Sequence, residues 1–418
     1  MRTRLNPRTA RRIRYLPLLV GLLLVLSGLL RSGASRALEI DAVVADQGAY
    51  AEADSKSLTL DNPDLWHEGP TLVVSNTTME NNGECWRASA CIEDPGPDGI
   101  SLAEALQAVN SYNLELNAHE TITFDPSLYG AVITTTGTLE IIQDGLTIDG
   151  DIDDDGVPDI TLKSQGPAEA IGFALRGVSH VIIDGLHFRD FGAVLGGGQA
   201  DGGAIGISND VEHDVRHLEN LVIRNCTFTN SGESAIDVSL QDQAFASIRN
   251  VEIVGNTFDG YWMGITVSAG KSSGTSDNEI SHVKIISNTF ISDGNLAGIA
   301  LAGSAMTEDS SRNLIEDVEI RGNTMTGHTH ITILVAAANH PGCNDNVIRN
   351  VVIAENAMDG TPMVIELVPA GENGTDIDGN VVTDVEIVDN ALTGGGIQLS
   401  GAQAAGATGN TISDVVVE

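Results

Sequence analysis

Short apolar strands alternate with polar positions along most of this chain, and between Leu221 and Leu392 the alternation recurs six times in nearly the same form. The clearest copies read Val251-Glu-Ile-Val-Gly-Asn256-Thr-Phe258, Val283-Lys-Ile-Ile-Ser-Asn288-Thr-Phe290 and Val318-Glu-Ile-Arg-Gly-Asn323-Thr-Met325; the others run Leu221 to Phe228, Val351 to Met358 and Val385 to Leu392. Strict alternation marks half-buried strands, and its recurrence at a steady interval marks a solenoid. Aligned on the asparagine, the column is Cys226, Asn256, Asn288, Asn323, Asn356 and Asn390, with spacings of 30, 32, 35, 33 and 34 residues. A further strand follows each: Ile236-Asp-Val238, Ile265-Thr-Val267, Ile299-Ala-Leu301, Ile331-Thr-Ile333, Ile365-Glu-Leu367 and Ile397-Gln-Leu399. The expected architecture is an all-β parallel solenoid whose coils stack about 4.8 Å apart. An inward Asn at one turn of every coil predicts a structural ladder, each amide satisfying its own turn and its neighbours above and below.

The region before the repeats is less regular. Thr71-Leu-Val-Val reads as a strand, Asn82-Gly83-Glu84-Cys85 as a turn, and Asp94-Pro95-Gly96-Pro97 as a break. Ser101-Leu-Ala-Glu104 is a capping box, and Leu102, Ala105, Leu106 and Val109 share one face of a helix over 101–110. A short amphipathic helix ahead of a strand array predicts a lid on the first coil, where core and strand edge would otherwise be open. Strand-like pieces follow at Ile122–Phe124, Val132–Thr134, Leu139–Ile142, Leu146–Ile148, Ile160–Leu162 and Val181–Ile183. The predicted layout is a leader over 1–37, an acidic, poorly ordered arm over 38–70, an entry module over 71–167 and regular coils over 168–418. Asn410 to Glu418 restarts the repeat, matching Asn380 to Ile387, and stops before its Asn, so the natural protein is expected to continue with further coils.

The leader changes the setting. Arg2, Arg4, Arg8, Arg11, Arg12 and Arg14 precede an apolar run from Leu16 to Leu30, and Ser35-Arg36-Ala37 offers a cleavage site. The run is shorter than the roughly 17 to 25 residues of a spanning helix, so the expectation is export to the medium or cell surface, or tethering if the segment stays uncleaved. The first 37 residues hold eight of the 21 basic residues and no acid, which leaves 13 basic groups against 58 acidic ones and a formal charge of −45. Such a surface repels nucleic acid. Among four cysteines, Cys85 and Cys91 flank a short polar segment and are the expected disulfide; zinc spacing is absent.

One motif suits a hard cation. Asp151-x-Asp153-x-Asp155-Gly156-x-x-Asp159 places carboxylates at alternating positions with a Gly at the sharp turn and the Val157 carbonyl as a further donor, so structural calcium is expected. His213/His217 and His328/His330 each lack a third ligand. Tyr261-Trp262 is an aromatic candidate for stacking on a sugar or for capping the core.

The coil pattern resembles the right-handed parallel β-helix of the pectate-lyase-like superfamily. Ser101-Leu102-Ala103-Glu104-Ala105-Leu106 is similar to the Ser-Leu-x-Glu-Ala-Ile of CSLREA-type entry modules, with Ile100 in place of the Cys and Ala103 in place of the Arg. Ile122-Thr-Phe-Asp125-Pro126-Ser-Leu128 and Leu146-Thr-Ile-Asp149-Gly150-Asp151 are similar to the segments that follow in those modules. The resemblance spans residues 71–418 and implies a secreted protein. It also implies that any polysaccharide-cleaving site would lie on an outward sheet face, with Arg or Lys as base beside calcium-binding acids.

Those implications meet a sparse surface. The outward column of the third strands reads Asp237, Thr266, Ala300, Thr332, Glu366 and Gln398, and its two carboxylates lie four coils, about 19 Å, apart. Glycosidase pairs need roughly 5 to 9.5 Å. Glu252, Lys284 and Glu319 alternate in sign on neighbouring coils and read as a salt-bridge ladder. The paired-aspartate, Gly-His-Gly and Arg-Ile-Lys signatures of the polygalacturonase branch are absent. The best catalytic grouping is Arg189, Asp201 and Asp237, around the inserted Gly-rich loop that lengthens the first interval to 40 residues from Leu186 to Cys226. Two functions are expected: a structural or glycan-binding module, or a calcium-dependent polysaccharide lyase or glycoside hydrolase at that grouping.

Overall fold

The computed structural model describes residues 67–418 except position 84 and the segments 112–117, 167–169, 193–202, 292–296, 305–308, 329, 339, 361–362, 371–376 and 402–406. The leader, most of the acidic arm and Asp201 therefore lie outside the described residues.

Two parallel sheets carry the chain. In the first, eleven strands stack in sequence order, from His67–Val74 and Ala118–Phe124 through Ser247–Val254 and Glu279–Ile286 to Val381–Val388 and Thr411–Val417. The opening strand starts at His67, four residues earlier than the sequence boundary. The second sheet has sixteen strands and holds two strips of each coil, one containing Thr227–Phe228 and one containing Ile236–Ser239. Register is one to one along the repeat: Val251 pairs with Val283, Val283 with Val318, and Val318 with Val351.

Alternation explains the burial. Val251, Ile253, Phe258, Ile265 and Val267 are fully buried in one coil, each worth about 1.5–3 kcal/mol relative to exposure. Phe188, Phe228, Phe258 and Phe290 stack through the core at centroid distances of 5.3, 4.9 and 4.6 Å. Met325 and Met358 continue the same column.

At the turn between the sheets, the side chains of Asn256, Asn288, Asn323 and Asn356 are buried and bonded in series. The Oδ1 of Asn288 accepts the backbone N–H and side-chain amide of Asn256 at 2.9 and 3.0 Å, while its Nδ2 donates to the Ile253 carbonyl and to Asn323 Oδ1 at 2.9 and 3.1 Å. Asn390 extends the series. Cys226 fills the first slot, its backbone N–H donating to Asn256 Oδ1 at 2.9 Å, and burial pushes its thiol up to about 12. A second ladder runs through Asn278, Asn313, Asn346, Asn380 and Asn410 at the turn leading into the first sheet.

The N-terminal end is covered by two helices, α1 (Ala88–Glu93) and α2 (Leu102–Asn110). Leu102, Ala105, Leu106 and Val109 of α2 join the coil core. Both bonds of the capping box are formed, and the buried Glu104 also accepts the backbone N–H groups of Asn82 and Gly83 at 2.7 Å each. Cys85 and Cys91 form a disulfide that ties the segment before α1 to the helix. Among the described residues no helix is long and apolar enough to cross a membrane.

Candidate functional site

In the strip containing Asp237, pairing places Asp237, Thr266, Ala300, Leu334, Glu366 and Gln398 in one column, of which Thr266, Ala300 and Glu366 are buried. Leu334 stands where Thr332 was expected. The run Ile331-Thr-Ile-Leu-Val alternates in phase over five residues, so two registers two residues apart both keep the apolar face inward. Pairing of Ile331 with Ala297 and Met363 selects the later one. The four-coil separation of Asp237 and Glu366 is unchanged. No hydrolytic carboxylate pair arises in this column.

Arg189 and Asp237 are not brought together. Arg189 pairs with Thr229, eight residues before Asp237 on the strand Thr227–Ser239 and on a different strip of the coil. The physical reason is that a coil has several sides, and residues of neighbouring coils meet only when they occupy the same strip. Arg189 lies instead beside Asp190, 4.0 Å from its carboxylate, with Lys163 on the same acid at 3.8 Å.

What surrounds Asp237 is a groove lined by Arg176, Ser208, Ser239, Gln241 and Lys271. The Lys271 ammonium sits 2.5 Å from Asp237 Oδ2, and the Ser239 hydroxyl donates to the same oxygen at 3.3 Å. Gln241 is held in place by a backbone bond to Asn209 Oδ1 and by its amide on Ser239. Among the described residues no hydrogen-bond donor reaches the buried Asp237 Oδ1. Asp237 thus stands in a polar groove with its Oδ2 engaged by Lys271 and Ser239.

The acidic turn brings carboxylate oxygens of Asp151, Asp153 and Asp159 within 4.8 Å of one another. Calcium–oxygen distances of about 2.4 Å put opposite ligands about 4.8 Å apart, so these three fit calcium. Asp155 is not among them: its Oδ1 accepts the Val157 N–H at 2.9 Å and so shapes the turn. Asp151 also works for the turn, accepting the N–H groups of Asp155 and Gly156 at 3.1 and 2.7 Å. Partial desolvation and then the neighbouring Asp155 and Asp159 raise the Asp153 carboxyl from its ordinary value, and a cation would relieve that repulsion.

The other sequence candidates separate. His213 Nδ1 bonds Asp210 at 2.7 Å, which raises its basicity, and His217 Nδ1 bonds the Ser247 hydroxyl at 2.9 Å, so the two share no ligand geometry. His328 is buried with Nε2 on the Tyr261 hydroxyl at 2.9 Å, and burial drops it to about 4. Tyr261 packs edge-on against Phe258 and Phe290, which makes it a core residue; Trp262 is its exposed neighbour. Lys284 meets Glu252 at 2.6 Å while Glu319 turns to Arg321, also at 2.6 Å, so the charge ladder is made of pairs. Exposed as they are, such pairs contribute under about 1 kcal/mol each.

The family described as right handed beta helix region matches residues 215–413. No curated protein matches the chain. Among solved structures, it is similar to pectate lyase Pel9A at 12% identity over 84% of this chain and 80% of that one, with a TM-score of 0.38. It is similar to a hyperthermoactive exopolygalacturonase from Thermotoga maritima at 11% identity over 69% and 84%, TM-score 0.37. It is similar to PfbA, a surface adhesin of Streptococcus pneumoniae, at 14% identity over 70% and 79%, TM-score 0.30. Stacked parallel strips, an inward Asn ladder and the family match over the repeats make the fold a right-handed parallel β-helix.

Proposed function

We propose that the chain is an exported or cell-surface β-helix that binds glycans through the groove at Asp237 and does not cleave them. The observation that carries this reading is the groove itself, in which Asp237 stands among hydroxyl, amide and cationic side chains that suit a sugar's hydroxyl groups. The leader and the acidic surface support an extracellular setting, secreted or tethered. Oligosaccharides spanning neutral and uronic classes, titrated against the full chain, are expected to bind, and Asp237→Asn or Gln241→Ala to weaken binding about tenfold or more. Unchanged affinity in both variants contradicts the assignment of the groove.

A second reading, a calcium-dependent lyase or glycoside hydrolase, is favoured by one feature: a Lys, an Arg and an Asp share that groove. It loses Arg189 and gains Lys271 as the candidate base. The Lys271 nitrogen, however, is engaged by Asp237 Oδ2 at 2.5 Å and is not turned to a substrate.

Calcium at the acidic turn is proposed as structural, held by Asp151, Asp153 and Asp159. Its role is to relieve repulsion and pin the turn. Millimolar calcium is expected to raise the melting temperature of the wild type, and Asp153→Asn to abolish that rise. A melting temperature equal in calcium and in chelator contradicts the proposal.

A further inference from the structure

The turn that leads into the first sheet has the same backbone on successive coils. Two residues before each paired strand position stand Phe245, Asp277, Arg312, Asp345, Gly379 and Gly409. All six adopt positive φ, between 56° and 67°. Gly and Asp enter this left-handed region most easily, and a bulky aromatic is among the residues least suited to it. Asp277 and Arg312 at least pair with each other through two bonds of 2.7 Å. Phe245 has no such compensation: its side chain is not buried, and the residue is 64% exposed. A single exposed apolar residue is ordinary. An exposed ring held where the fold prefers Asp or Gly is opposed by backbone and by solvent alike.

The turn is nevertheless firmly built. The Phe245 N–H donates to the Ser276 carbonyl at 3.2 Å, the Ala244 carbonyl accepts from Arg216 at 3.3 Å, and the Gln243 amide oxygen accepts from Asn209 at 2.7 Å. The ring borders a groove of about 410 Å³ whose other walls include Ser179, His217, Glu219, Ser247 and Arg249. Arg249 is paired with Glu279 at 2.9 Å, and Asp277 is taken by Arg312. Among the described residues no ion pair engages the Glu219 carboxylate, so the groove carries a surplus of negative charge. One apolar ring beside hydroxyl, imidazole and carboxylate groups is the chemistry that grips a pyranose, whose C–H face stacks while its hydroxyls bond outward. The surplus charge repels a uronate and admits a neutral or amino sugar.

We infer that Phe245 is the stacking platform of a second saccharide site, on the other side of the turn from the Asp237 groove, selective for neutral or amino sugars over uronic acids. It does not depend on the first groove binding anything. The test is a titration of the full chain with neutral, amino and uronic oligosaccharides, run for wild type, Phe245→Asp, Phe245→Trp and Gln241→Ala, with a melting curve for each. Phe245→Asp, which installs the residue found one coil on, is expected to weaken neutral or amino-sugar binding at least tenfold while leaving the melting temperature equal or higher. Phe245→Trp retains binding, and in Gln241→Ala, where the first groove is weakened, the component of neutral or amino-sugar binding that Phe245→Asp removes is still present. No binding of neutral or amino sugars, binding unaltered by Phe245→Asp, or a clear fall in that variant's melting temperature each overturns the site. Binding lost in Gln241→Ala alone assigns the ligand to the first groove instead.

Discussion

Replacing Asn288 by alanine is expected to lower the unfolding free energy by about 4 kcal/mol, read as a shift of the denaturant midpoint in the full chain. Truncation strands the Asn256 backbone N–H, one hydrogen of the Asn256 amide and the Ile253 carbonyl, all inside the fold. Each buried orphan costs about 1–3 kcal/mol. No repacking offers them new partners, because the neighbouring Asn323 already bonds the next coil. Asn390→Ala supplies the internal control. Its side chain is only half-buried and water can replace what is lost, so a cost below about 2 kcal/mol is expected. Equal losses at both positions would show that the ladder's burial is not what stabilises the stack.

Glu104→Ala is expected to cost about 3 kcal/mol and to expose the N-terminal end first, seen as faster amide exchange through α1 and α2. This carboxylate satisfies three backbone donors, those of Ser101, Asn82 and Gly83, while almost wholly shielded from solvent. Burial by itself would raise its pKa, but those donors outweigh it and hold Glu104 below its ordinary value. The sign of the pH effect follows. Above about 4.5, the ordinary value, both folded and unfolded states carry the anion and the full contribution is present; as pH falls toward the lower folded value the unfolded chain takes up the proton first and stability drains away. Glu104→Ala should flatten that acid limb relative to wild type. An alanine variant with unchanged acid dependence and normal exchange at the cap contradicts the assignment.

The main architecture is legible in the sequence because a coil must present the same residue types at the same turn each time. Val251, Asn256 and Phe258 are visible as columns before any coordinates are known. The second ladder is less visible, although Asn278, Asn313, Asn346, Asn380 and Asn410 each stand five residues before a repeat valine. Its neighbours vary and the loops before it differ in length, which blurs the alignment. Strand register fails where alternation itself is degenerate, as at Ile331 and Ile333. The grouping of Arg189 with Asp237 fails for another reason: closeness along the chain says little in a solenoid, where strips of one coil face different ways. Phe245 is illegible until the coils are superposed. Only then does a phenylalanine stand in a left-handed column otherwise occupied by Asp, Arg and Gly.

The most direct measurement is turnover. Full-length protein is incubated with neutral and uronic-acid polysaccharides in calcium, and both reducing ends and unsaturated products are followed alongside binding. The predicted result is saturable binding with neither product rising above the protein-free control. Product formation by the wild type that disappears in Lys271→Ala or Asp237→Asn would contradict it and make the groove an active site.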